Sequence, residues 1–146
     1  IGTLMMEDFL VERILQMDGV DKFCMDKANQ ELVHVPDIIS QYGLKKSWSH
    51  TVINSKSNSS TLICQMPGQG NREHYHPEWD EWWYIVVGQW EWLVEGTARV
   101  IKAGDIVYIE RNRMHRITAI GNSAAIRLAV SRYDVVHVYD DDAYGG

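Results

Sequence analysis

From Lys46 onward the chain is written in short runs of Val, Ile, Thr, Trp and Tyr separated by clusters of Gly, Asn and Ser. β-Branched and aromatic side chains suit a pleated, half-buried surface and the small polar residues suit turns, so each run predicts a strand. About seven runs are recognisable, near 47–53, 60–66, 72–76, 81–87, 90–95, 105–110 and 115–138, the last long enough for two or three strands. Many short strands with few helices between them predict an all-β fold, an antiparallel sandwich or barrel rather than a parallel α/β sheet.

The first third reads differently. Met6, Phe9, Leu10, Ile14 and Met17 recur at three- and four-residue spacing with Gly19 as a stop, which predicts one amphipathic helix. Pro36 suits the first turn of a short second helix through Ile38 and Ile39 that ends at Gly43. The expected division is an N-terminal helical extension over 1–45, packed on the barrel or on a dimer partner, and a barrel over 46–146. At 146 residues and 45% hydrophobic content, a single core suffices.

A net charge of −6 argues against a nucleic-acid or anionic-membrane partner, both of which call for a basic face. Cys24 and Cys64 stand 40 positions apart, so neither a disulfide framework nor a zinc knuckle is expected. No apolar run approaches the roughly 18 residues of a membrane span. The first residues lack the pattern of a secretory leader, and a cytoplasmic location is the expectation.

Chemistry concentrates in the barrel half. On a strand, His74 and His76 share one face, with their Cα atoms about 7 Å apart. Glu81 opens the next strand with the parity of Trp83, Ile85 and Val87. If that strand pairs antiparallel with the histidine-bearing one and this side faces inward, a carboxylate joins the two imidazoles. His115 falls in a further strand-like position. An isolated H-x-H is a weak signal; its surroundings carry more.

Gly68, His74, His76, Glu81 and Gly88 occupy every fixed position of the pattern G-x5-H-x-H-x3,4-E-x6-G, and the chain here resembles the cupin superfamily. Of the second cupin motif, Gly104 and His115 are in register, while Glu110, Asn112 and Ala119 stand where Pro, Gly and Asn are usual. Asn tolerates a left-handed backbone and can replace the turn glycine. The resemblance spans roughly residues 60–132. It implies a cupin-type antiparallel β-barrel, a double-stranded β-helix, whose mouth holds one divalent metal ion per chain through His74, His76, Glu81 and His115. Such a mixed ligand set suits Fe, Mn, Ni, Co or Zn.

Around that centre, Trp83 shares the side of Glu81 and is expected to wall a substrate pocket. Trp79, Trp82, Trp83, Trp90 and Trp92 lie within 14 residues, and core and dimer packing explains the cluster as a whole. Arg72 and Arg127 are candidate pocket residues for a substrate carboxylate, against a plain ion pair of Arg72 with Glu73, Glu78 or Asp80. Phosphate-binding loops and serine-nucleophile elbows are absent. The leading functional expectation is a metal-dependent enzyme acting on a small polar or carboxylated molecule, an oxygenase slightly ahead of a lyase or isomerase. The competing one is a non-catalytic metal- or small-molecule-binding module. A homodimer is expected, with outward Trp82 and Tyr84 offering apolar surface.

Overall fold

The computed structural model describes residues 14–132 and 138–139. Eleven strands and one complete helix follow in the order β1 (Lys22–Cys24), α1 (Val35–Tyr42), β2 (Trp48–Asn54), β3 (Ser59–Gln65), β4 (His74–Tyr75), β5 (Glu81–Val87), β6 (Gln89–Val94), β7 (Thr97–Lys102), β8 (Ile106–Ile109), β9 (His115–Ile120), β10 (Ala125–Ser131) and β11 (Val138–Tyr139). They form a six-stranded sheet ordered β1-β2-β3-β10-β5-β8 and a five-stranded sheet ordered β11-β4-β9-β6-β7. Every pairing is antiparallel except β1 with β2. The fold is the expected all-β double-stranded β-helix.

Two strands lie outside the expected runs. β7 has only Ile101 buried, so its sequence carries little apolar signal. β1 is three residues long and adds a strand from within the 1–45 stretch. The first expected helix lies mostly outside the described residues, which retain its last turn at 14–17. Its end has a defined chemistry: Gly19 takes φ 93°, and Val20 N–H and Gly19 N–H donate to Leu15 O and Gln16 O at 3.0 and 3.1 Å. This is a Schellman cap, which needs a left-handed residue. Pro36 opens α1, and Gly43 closes it by donating its N–H to Ile39 O at 2.7 Å.

Two apolar clusters organise the molecule. The inner one lies between the sheets and contains Trp83, Ile85 and Ile109 from one and Trp90, Trp92 and Ile117 from the other. The outer one forms where Ile38 of α1 covers Trp48, Leu62, Cys64 and Ile126 on the back of the six-stranded sheet. Farther along that back, Trp82, Tyr84, Ile106 and Tyr108 remain exposed. Among the described residues no helix is long and apolar enough to cross a membrane.

Candidate metal centre

His74 and His115 face each other as Cα partners on β4 and β9, and His76 follows β4 immediately. The three rings stand 4.4–5.1 Å apart between centroids, and each is at most 1% exposed. Their ligand atoms lie within 4.8 Å of one another. His74 Nδ1 is 2.6 Å from Arg72 O, and His115 Nδ1 is 2.9 Å from Arg113 O. Because a carbonyl oxygen only accepts, each Nδ1 carries the proton and each Nε2 keeps its lone pair. That tautomer, fixed by a backbone carbonyl, is the one a metal-binding imidazole requires. Burial lowers the His115 pKa, a direction only partly opposed by the Glu81 charge, and so favours the neutral ring that binds metal.

Glu81 reaches the same point, with Oε1 2.6 Å from His76 Nε2, but not by the expected route. β5 pairs with β10 and β8 in the six-stranded sheet, whereas the histidine strand lies in the other sheet. The antiparallel pairing of these neighbours, given from sequence as the condition for convergence, does not occur. Pro77 begins a short stretch, 77–80, that carries the chain from one sheet to the other, so the carboxylate arrives from across the barrel. The predicted strand over 72–76 likewise shrinks to His74–Tyr75. The second-motif turn locks onto the first: Asn112, at φ 69°, donates its N–H to His76 O at 2.8 Å. Trp83 and Trp92 back the group, their rings 5.6 and 5.7 Å from that of His115. Three buried imidazoles, with the Glu81 carboxylate against one of them, offer donors that fit a divalent ion.

Residues 61–131 match the sequence profile of the cupin domain. The chain belongs to the cupin superfamily. Its relatives include the oxalate decarboxylase OxdC of Bacillus subtilis (strain 168), 31% identical over 85 residues that cover 55% of this cupin and 22% of that enzyme. The match thus spans less than a quarter of that relative. A solved structure of the enzyme, described with Mn(II) centres, aligns at TM-score 0.53 and 29% identity over 60% of this chain and 25% of that one. Another relative, the polyketide synthase CurC of Streptomyces cyaneus, is 27% identical over 105 residues, 69% of this chain and 68% of its own. A double-stranded β-helix protein from Klebsiella pneumoniae shares the fold at TM-score 0.61 and 18% identity, over 77% of this cupin and all of the other chain.

Beside the histidines lies a partly open cavity of about 100 Å³, lined by His74, Glu81, Trp83, Arg127, Asp18 and Ile63 among others. Trp83 and Arg127 thus stand on it. Arg72 does not line it; its Nε bonds Asp18 Oδ1 at 3.2 Å, and its guanidinium lies 4.2 Å over the Tyr139 ring. Its ion-pair partner is none of the nearby acids considered from sequence. Arg111, Arg113 and Arg116 pair with Asp80, Glu95 and Glu91 on the surface.

Two cavity-side residues fall outside the expected set. Gln65, fully buried, shares the strand parity of inward Ile63, and a polar residue at an inward position was its signal. Asp18 offers none, because only the Schellman turn brings it beside Arg72, 54 positions away. Burial raises its carboxyl to about 6 against the opposing pull of Arg72. Of the other histidines, His50 is buried 3.2 Å from Tyr42 Oη, His34 stands at the N-cap position of α1 without a side-chain capping bond, and His137 lies outside the described residues.

Proposed function

We propose that this cupin is a metal-dependent enzyme that acts on a small polar molecule held beside His74, His76, Glu81 and His115. The observation that carries the reading is the convergence of three buried imidazoles, two of them tautomer-locked, with the Glu81 carboxylate against His76 and with His74 and Glu81 on the wall of a cavity. A divalent ion bound there supplies Lewis acidity or redox chemistry. The protein's own contribution is positional. Backbone carbonyls of Arg72 and Arg113 hold two rings in place, and Trp83 walls the cavity with apolar surface. Likeness to an oxalate decarboxylase with Mn(II) centres supports manganese as a candidate ion and an oxygen-rich substrate.

The test is elemental analysis of protein purified without added metal or chelator, beside His76→Ala. Near one ion per chain, lost in the variant, supports the site; equal metal content in both refutes it. Oxygen uptake during turnover then separates an oxygenase from a lyase or isomerase. A loaded protein that turns over nothing would favour the binding-module reading. We also propose a homodimer through the exposed Trp82, Tyr84, Ile106 and Tyr108 face. A monomer in solution scattering would refute it.

A further inference from the structure

The geometry points to Arg127, oriented by Gln65, as a second binding element of the cavity: an anchor for the carboxylate end of a small organic acid whose other end reaches the histidine group. This deepens the proposed function and rests on it for the role of the histidines, but the anchor itself is independent of any metal.

Arg127 lies on β10 with the inward residues Ile63 and Ile85 as its Cα partners, so its side chain enters the barrel. It is 2% exposed, and its guanidinium packs 4.7 Å over the Trp90 ring. Nη1 donates to Gln65 Oε1. Gln65 has no freedom to turn away, since its Nε2 lies 3.2 and 3.3 Å from Asp18 O and Gly70 O, two acceptors that require the amide nitrogen to face them. Gln65 therefore orients the guanidinium while contributing no charge. The Nε–Nη2 edge remains, the planar fork that matches a carboxylate, and Nε has no hydrogen-bond partner among the described residues.

No carboxylate among the described residues lies within ion-pair distance of Arg127. Asp18 and Glu81 are its favourable charged neighbours, acting from farther off. Asp18 bonds Arg72 at 3.2 Å, and Glu81 contacts His76 at 2.6 Å. A buried cation without a paired anion is costly to the fold, and an apolar residue of similar size would serve packing better. The arrangement makes sense for an arriving anion. The cavity is lined by Arg127 and by His74 and Glu81, and along the paired β5 and β10 the Trp83–Ala129 rung stands between the rung of Arg127 and the Glu81 end of β5. At about 100 Å³ it suits a short acid and not a nucleotide. The matching ligand has one carboxylate, a compact middle and a second oxygen function, the class of 2-oxo and 2-hydroxy acids.

The test uses full-length protein freed of metal with chelator, titrated with pyruvate, with neutral pyruvamide and with inorganic phosphate, and read by calorimetry and tryptophan fluorescence. Pyruvate should bind and pyruvamide should bind at least about tenfold more weakly, the loss of one charge-assisted contact. Arg127→Met should lose a similar factor. Gln65→Glu, which sets an internal carboxylate against the fork, should do the same in a folded chain and carries the test if Arg127→Met does not fold. Pyruvate binding that is absent in the wild type, equal to that of pyruvamide, weaker than that of phosphate, or untouched in folded variants overturns the anchor. Metal content of the same preparations before chelation reports separately on the histidine site, so either reading can fail while the other stands.

Discussion

Gly70 sits where the approach to the site presses hardest on β9. A Cβ built there meets Ile117 O at 2.0 Å and Thr118 Cα at 2.7 Å, well inside the roughly 3.5–4.0 Å of favourable carbon contact. Gly70→Ala must therefore push the 68–71 segment off β9 by roughly 1 Å or more. Four hydrogen bonds tie that segment down: Gly68 N–H to Ala119 O at 2.8 Å, Ala119 N–H to Gln69 O at 2.7 Å, Asn71 N–H to Ile117 O at 3.0 Å and Ile117 N–H to Asn71 Oδ1 at 2.8 Å. At about 1 kcal/mol each, losing most of them costs about 3–4 kcal/mol and lowers Tm by roughly 10 °C. Calorimetry of metal-free protein measures this. Gly96→Ala is the control: φ is +85° there, but nothing lies within 4 Å of the added carbon, so only a backbone cost of about 1 kcal/mol is expected. Metal affinity should fall with Gly70→Ala alone, because the segment leads to His74 and lies on the strand of His115. If the two variants are equally stable, the clash argument is wrong.

Further outcomes follow from the same geometry. Because burial raises the Asp18 carboxyl to about 6, its protonated form stabilises the fold fully below pH ~4, and that contribution is lost as pH rises through 6. Urea unfolding of metal-free protein should show wild type losing roughly 2–3 kcal/mol over that window, and Asp18→Asn losing none of it. Metal at about 100 times its Kd should add about 2.7 kcal/mol and raise Tm by roughly 5–10 °C, with no shift in His76→Ala. Asn112→Gly should be nearly neutral and Asn112→Val should cost about 1–2 kcal/mol in thermal unfolding, because the position needs φ 69°.

The fold and the histidine group were legible because both are written locally. Alternation exposes strands such as 81–87, and the resemblance to two cupin motifs is what singled out His74, His76, Glu81 and His115. Asn112 shows how far such reading extends, since the expected left-handed backbone is present at that turn. What escaped depends on which sheet a strand joins. Parity says that Glu81 and Trp83 share a face, but nothing local says that β5 crosses at Pro77 to the opposite sheet. The Arg72–Asp18 pair depends on a turn 54 positions away. β7 escaped because Ile101 alone is buried, while Thr97 and Arg99, which share its parity, are polar and exposed.

The position of β10 has a consequence for how the protein is made. This late strand lies between β3 and β5, which precede it by 60 and 38 residues from strand end to strand start (125 − 65 and 125 − 87). At about 5–20 residues per second, the ribosome needs roughly 2–9 s to pass from Val87 to Ser131. Throughout that interval β3 and β5 each offer an open edge, and β5 reads Trp82-Trp83-Tyr84-Ile85-Val86-Val87 without a charge or proline to interrupt it. A ribosome stalled between residues 88 and 124 therefore holds a nascent chain with an uncapped, aggregation-prone strand, which is where a chaperone's protection would matter most.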